Sequence, residues 1–260
     1  MTRFGVLVMA YGTPRTPDEV ESYYTHIRRG RPPEPEQLAD LVRRYDAIGG
    51  ISPLAQRTEA QVGALRGALD ATRPGEFTVA LGQKHAAPFI EDGVTTLLEA
   101  GVETVVGLVL APHFSRGSVG QYHERAAQVL LAPGVTYRPI DSWHLEPAYL
   151  AFLAGAVHDA IELVPAKHTV IFTAHSLPER VLEGDPYPEQ LRESAAAVAE
   201  QVGVAAPGWT IGWQSAGRTP EPWRGPDVLE IIRELGATGG TDGVVAVSYT
   251  HLTLPTKRIV

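Results

Sequence analysis

The residues best suited to chemistry converge on Thr169-Val-Ile-Phe-Thr-Ala-His175-Ser-Leu-Pro178, where a β-branched run ends on a histidine and a proline three residues later stops the strand. That spacing sets His175 at the carboxyl end of a strand, the edge at which open α/β sheets bind ligands. An imidazole there serves as a base near neutral pH or as a metal ligand, and the plain alternative is a histidine hydrogen-bonded into its own turn. Other strand ends carry polar groups too. Tyr11 follows strand 4–10, Lys84 and His85 follow 77–81, His113 and Ser115 follow 104–110, and Gln214 and Ser215 follow 209–213. Chance accounts for one or two such placements, whereas eight point to an ionisable pocket on an edge where two facing sheets share a cleft.

A second chemical feature is the run His26-Ile-Arg28-Arg29-Gly30-Arg31-Pro-Pro33. Three arginines in four residues beside a double proline make a stiff cationic loop, which is either a solvated loop or a clamp for carboxylates or phosphates. Tyr45 and Tyr122 read as core or rim aromatics, and His26, His123, His144, His158 and His168 as surface or structural. His85 and His113 read as supports behind a pocket.

The elements that must position these groups alternate between two periods. Phe4-Gly-Val-Leu-Val-Met-Ala10 is continuously apolar, as in a parallel strand covered on both faces, and strands are also predicted at 77–81, 104–110, 135–140, 169–173, 209–213 and 243–247. Helical spacing is predicted over 17–24, 38–45, from Leu54 onward with Val62, Leu65 and Leu69 on its apolar face, and over 90–100, 119–129, 147–164, 189–202 and 227–235. Asp227 stands as the cap of the last. The order is that of an α/β protein with two Rossmann-like domains, parallel sheets flanked by helices, over residues 1–142 and 143–247. No convincing sequence repeat links the halves. No GxGxxG follows the first strand, which disfavours simple dinucleotide binding.

Composition sets the bounds. A chain of 260 residues, 44% hydrophobic and 20% charged, has ample length for one large or two modest cores. Thirty acidic against twenty-two basic residues give a net charge of −8, which argues against a general nucleic-acid binder. The sequence has no cysteine, so no disulfide, thiolate zinc site or cysteine-ligated iron–sulfur cluster is expected. No apolar stretch approaches a membrane span, and a soluble cytoplasmic protein is the expectation.

Several longer stretches together resemble one known family. They are Met9-Ala-Tyr-Gly-Thr-Pro14, Tyr23-Tyr-Thr-His-Ile-Arg-Arg-Gly-Arg31, Arg44-Tyr-Asp-Ala-Ile-Gly-Gly-Ile-Ser-Pro-Leu-Ala-Gln56, Lys84-His85 and Leu110-Ala-Pro-His-Phe-Ser115. Further along come Ala174-His-Ser-Leu-Pro178, Gly184-Asp-Pro-Tyr-Pro188 and Gly212-Trp-Gln-Ser215 through Gly225-Pro-Asp227. They resemble the ferrochelatases, and within them the coproporphyrin III ferrochelatases of Gram-positive bacteria. The resemblance implies chelatase-type domains enclosing a porphyrin cleft, with Fe²⁺ as substrate, no further cofactor, and release of two pyrrole protons. It matches His175 to the essential histidine that takes up iron, accepts a proton, or both. It matches Tyr11 to the tyrosine facing the metal from the other side of the macrocycle, and Arg28, Arg44, Tyr45, Ser52 and Tyr122 to the porphyrin site. The chemistry agrees, since ferrous iron accepts imidazole and oxygen ligands and four propionates want partners such as Arg28, Arg29, Arg31, Lys84 and Ser52.

The pattern departs from the family after 247. The family continues into Pro-Val-Gly-Phe and a His-x-Glu-Val stretch whose glutamate faces the essential histidine, whereas residues 248–260 hold no glutamate. They read as a non-native tail on an incomplete second domain, from which lower stability and activity are expected. The readings carried forward are a chelatase for coproporphyrin III, a non-catalytic porphyrin- or haem-binding protein, and a chelatase for protoporphyrin IX. The polar stretch 14–36 favours the more acidic porphyrin. The expected partners are porphyrin, Fe²⁺ and a downstream haem-pathway enzyme, with no nucleic acid and no stable membrane insertion.

Overall fold

A computed structural model describes residues 4–130, 134–217 and 219–249. The expected tail therefore lies outside the described residues from 250 onward. The chain divides into two compact units, Met1–Leu110 with Gln121–Asp141, and Ala111–Gly120 with Ser142–Val260.

In the first unit four parallel strands lie in the order β2-β1-β3-β4: β1 Phe4–Ala10, β2 Phe77–Gln83, β3 Thr104–Val109 and β4 Thr136–Ile140. The register pairs Val6 with Val79 and with Val106, so β1 is central. Its continuous apolar run follows, because alternate side chains face opposite covers. Val6 and Val8 pack with Val79 and with Val62, Leu65 and Leu69 of helix α3 (Leu54–Thr72). Leu7 lies on the other face near helix α4 (Ile90–Glu99), whose Ile90, Val94 and Leu97 are fully buried. Such residues contribute about 1.5–3 kcal/mol each when taken fully out of water. That second contact needs glycine: a Cβ on Gly82 would stand 2.8 Å from Ile90 Cα, and one on Gly93 would stand 2.7 Å from the Leu81 carbonyl oxygen.

The unit also holds helices α1 (Val20–Ile27), α2 (Pro35–Ala47) and α5 (Gln121–Val129). Helix α1 begins later than the periodicity over 17–24 suggests, because Pro17–Glu19 forms a 3₁₀ turn ahead of it. Helix α5 likewise starts at Gln121, after a π turn over Arg116–Gly120.

The second unit repeats the order in a three-stranded parallel sheet, β6-β5-β7, with β5 His168–His175, β6 Trp209–Gln214 and β7 Gly243–Ser248. Helices α6 (Pro147–Ile161) and α8 (Tyr187–Gln201) cover one face with Leu153, Val157, Leu191 and Val198 against Val170 and Phe172. The opposite face carries α9 (Val228–Thr238), where Gly212 lets Ile171 and Ile231 close over the sheet. Asp227 caps α9 as expected, its carboxylate accepting the Leu229 N–H at 2.8 Å. A short helix α7 (Glu179–Leu182), absent from the periodicity, follows Pro178.

One boundary expected from sequence differs here. Segment Ala111–Gly120, placed by sequence inside domain 1–142, belongs to the second unit because its polar atoms are satisfied there. Phe114 N–H donates to Gln190 Oε1 at 2.7 Å and Arg116 N–H to Asp185 Oδ2 at 2.8 Å. Of the stretch 248–260, residues 248 and 249 are described. Ser248 completes β7, and Tyr249 is fully buried, stacked on Phe172 at 5.7 Å with its hydroxyl donating to the Leu191 carbonyl at 3.3 Å.

Candidate active site

Three parallel strands in 2-1-3 order place a topological switch beside the carboxyl end of the first strand, where loops part in opposite directions and leave room for a ligand. In the first unit that strand is β1 and the residue leaving it is Tyr11. In the second it is β5 and the residue is His175.

Around Tyr11 the first unit forms a cavity of about 470 Å³, walled by Tyr11, His26, Arg29, Lys84, His85 and Gln121 among others. Strand pairing sets this up: Ala10 lies beside Gln83, and the Lys84 and His85 N–H groups donate to the carbonyls of Ala10 and Tyr11, each at 2.9 Å. The Tyr11 ring is 46% exposed and lies 4.6 Å from the His85 ring. Partial burial, with the Tyr45 phenol nearby, raises the Tyr11 pKa, so its oxygen is an O–H at neutral pH. Two residues on, Thr13 Oγ1 meets Tyr45 Oη at 3.3 Å.

The other wall is a histidine pair. His26 Nδ1 and His85 Nδ1 lie 3.0 Å apart, so one carries the hydrogen and the other accepts it. His26 also stacks on Phe89 at 5.2 Å. Burial first, then the charges of Lys84, His26 and Arg125, push the His85 pKa down to about 4, leaving it neutral at pH 7. Lys84 Nζ donates to Gln121 Oε1 at 2.7 Å and stands 5.1 Å from the centre of the Tyr122 ring. Burial and Arg125 lower the Lys84 pKa, and burial raises that of Tyr122.

Sequence-selected residues distribute unevenly about this cavity. Tyr11 and Lys84 line it, with Tyr122 against Lys84 and Tyr45 behind Thr13. Of the three loop arginines it is Arg29 that lines the cavity, held with φ 57° in the turn closing α1. Arg28, the arginine given most weight from sequence, turns back, its Nε donating to the Arg31 carbonyl at 3.3 Å and its guanidinium 5.6 Å from the Tyr24 ring. Arg44 pairs with Asp40 at 2.5 Å, and Ser52 Oγ accepts the Leu54 N–H at 3.2 Å where α3 begins. His26 and Gln121 were not selected from sequence as pocket residues. For His26 the one signal is its place inside the run Tyr23–Arg31, and Gln121 carries none.

In the second unit His175 ends β5 in register with Gln214, and the strand extends through it rather than stopping at 173. Ser176 N–H donates to the Gln214 carbonyl at 2.8 Å, and the Tyr187 hydroxyl donates to the His175 carbonyl at 3.4 Å. Tyr187 is placed by Asp185, whose carboxylate accepts the Tyr187 N–H at 3.0 Å, the Arg116 N–H and the Ser115 hydroxyl. His113 is buried behind this group, its Nε2 2.9 Å from Ser194 Oγ, and burial drives its pKa down to about 3. Gln214 and Ser215, the latter at φ 61°, complete the strand end.

Among the described residues no cluster of three or more His, Asp or Glu side chains is arranged to hold a metal, and no helix is long and apolar enough to cross a membrane. In the first unit a phenol, an imidazole pair and cationic side chains share one cavity, which suits a ligand that brings carboxylates.

Comparison with known proteins gives the same direction. The ferrochelatase family model matches residues 3–252. A coproporphyrin III ferrochelatase from Halalkalibacterium halodurans is 46% identical over 248 residues, covering 94% of this chain and 79% of that protein. Proteins of the same name from Geobacillus kaustophilus and Bacillus subtilis are 48% and 46% identical, covering 89% and 94% of this chain and 75% and 81% of theirs.

Proposed function

The chain belongs to the ferrochelatase family, and from that premise we propose that it inserts ferrous iron into coproporphyrin III to form iron coproporphyrin in haem biosynthesis. The observation that carries this reading is the match, along most of the chain, to relatives named for that substrate. The reaction is a metal-chelating lyase step: Fe²⁺ enters the ring, two pyrrole N–H bonds break, and two protons leave. Iron and porphyrin are both substrates. We place the reaction in the cytoplasm.

In this proposal His175 acts at the metal, as ligand or as acceptor of a pyrrole proton, from a strand end whose carbonyl is held by Tyr187. Tyr11 offers its phenol oxygen to the metal. Lys84, Arg28, Arg44, Tyr45, Ser52 and Tyr122 hold the porphyrin, the cationic groups facing its ionised propionates. Lys84 has the strongest support, since it lines the cavity that Tyr11 lines. Arg28 and Arg44 would have to leave their present partners, Arg31 and Asp40, to reach a carboxylate.

The test is anaerobic incubation of the chain with Fe²⁺ and either coproporphyrin III or protoporphyrin IX, followed by absorption. Replacement of the free-base bands by metalloporphyrin bands, faster with coproporphyrin III, is expected. Tight porphyrin binding with no conversion would leave a binding protein, and preference for protoporphyrin IX would overturn the substrate.

A further inference from the structure

One ion pair of the first unit stands where folding stability gives little reason for it. Arg125 of α5 and Glu91 of α4 form a two-pronged pair, Nε to Oε1 at 2.5 Å and Nη2 to Oε2 at 2.7 Å, with side chains 28% and 42% exposed. Pairs at such exposure contribute little to stability. What this one does is aim the guanidinium. Its remaining edge, Nη1, donates to the Lys84 carbonyl at 2.8 Å, and its centre stands 6.0 Å from the Phe89 ring, on which His26 stacks. A planar guanidinium reaches a carboxylate and a carbonyl at once in fixed directions, which an ammonium on a flexible stem does not.

The Lys84 carbonyl is half of a peptide unit whose other half is the His85 N–H, and that N–H donates to the Tyr11 carbonyl at 2.9 Å. A peptide is planar, so holding its oxygen and its hydrogen fixes the orientation of the whole unit. One end is therefore tied to Arg125 and the other to Tyr11. The Cα that follows carries the His85 ring, 4.6 Å from the Tyr11 ring, with Nδ1 3.0 Å from His26 Nδ1. Tyr11, His26 and His85 line the cavity, and Arg125 stands behind them.

We infer that Arg125 is a positioning residue for Tyr11 and His85: its guanidinium, aimed by Glu91, holds the Lys84–His85 peptide by the oxygen and so keeps the phenol and the imidazole in register at the cavity. The inference rests on the reading in which Tyr11 faces the metal, and adds what holds it there. The same positive charge adds to burial, Lys84 and His26 in keeping His85 neutral. Its hydrogen bonds hold the Glu91 carboxyl below the usual carboxylate range, so the pair persists into mild acid.

The test is anaerobic Fe²⁺ insertion into coproporphyrin III by the full chain, with hydrogen exchange at the His85 amide as a second readout. Arg125→Lys keeps the charge and loses the fork, and Arg125→Ala opens a space that added ethylguanidinium refills. Each is expected to lower kcat about tenfold with KM for the porphyrin within about twofold, and to speed exchange at His85 while Val94 and Leu97 keep their protection. Ethylguanidinium is expected to restore the kcat of Arg125→Ala and not that of Arg125→Lys. Unchanged kcat, a change confined to KM, or faster exchange at Val94 and Leu97 as well would overturn the positioning role. If the unsubstituted chain inserts no iron, the function on which the inference rests is refuted, and the His85 amide then decides alone whether Arg125 holds the peptide.

Discussion

His113 Nε2 lies 2.9 Å from Ser194 Oγ, and both side chains are buried. Ser194 has a single hydroxyl hydrogen, and the carbonyls of His144 and Gln190 lie at 2.9 and 3.2 Å to receive it. Donation from Nε2 to Ser194 leaves the hydroxyl hydrogen for either carbonyl, and burial keeps the imidazole neutral at pH 7. Its pKa is driven down to about 3 by burial, with His144 adding to the effect. In the unfolded chain the same group titrates near its ordinary value of about 6.5. Between those limits the unfolded state binds a proton that the native state does not, so stability falls as pH drops from about 6.5 toward 3, by up to about 1.4 kcal/mol per unit. His113→Gln keeps a donor for Ser194 and cannot titrate. Urea unfolding at pH 7, 6 and 5 is expected to show a shallower acid loss in the variant, and parallel slopes would refute this role for His113.

Asp185 gathers three donors from two segments about seventy residues apart: the Ser115 hydroxyl, the Arg116 N–H and the Tyr187 N–H. Asp185→Ala leaves all three without their acceptor in a buried place, at a cost of about 2–4 kcal/mol. Hydrogen exchange at the Arg116 and Tyr187 amides reports it directly. Both should exchange faster in the variant while Val94 and Leu97 of the first unit keep their protection.

Tyr249 is buried in the core of the second unit. Its ring is stacked on Phe172 and lies 4.9 Å from His113. Tyr249→Ala should cost about 3–5 kcal/mol, as for other buried aromatics, measured by denaturant unfolding. A loss below about 1 kcal/mol would mean that 248–249 are no part of the second core.

Much of this fold is legible from strand ends. Ala10-Tyr11 with Pro14, and Ala174-His175 with Pro178, each follow the first and central strand of a sheet ordered 2-1-3. The two sheets are therefore the same device used twice, although too few residues are shared for the sequence to read as a repeat. Illegible were the features that depend on distant partners. Segment Ala111–Gly120 belongs to the second unit through Asp185 and Gln190, and His26 enters the cavity wall through His85, fifty-nine residues on. No local period encodes such pairings.

Iron insertion by His175→Ala is the most direct test of the chemistry assigned to this chain. The variant and the unsubstituted chain are each loaded with coproporphyrin III, mixed anaerobically with Fe²⁺, and followed for loss of the free-base bands. The account predicts that the variant still binds coproporphyrin III with unchanged affinity but converts it at least a hundredfold more slowly, about 2.7 kcal/mol of lost barrier lowering. Conversion at the unsubstituted rate, with porphyrin bound, would contradict it.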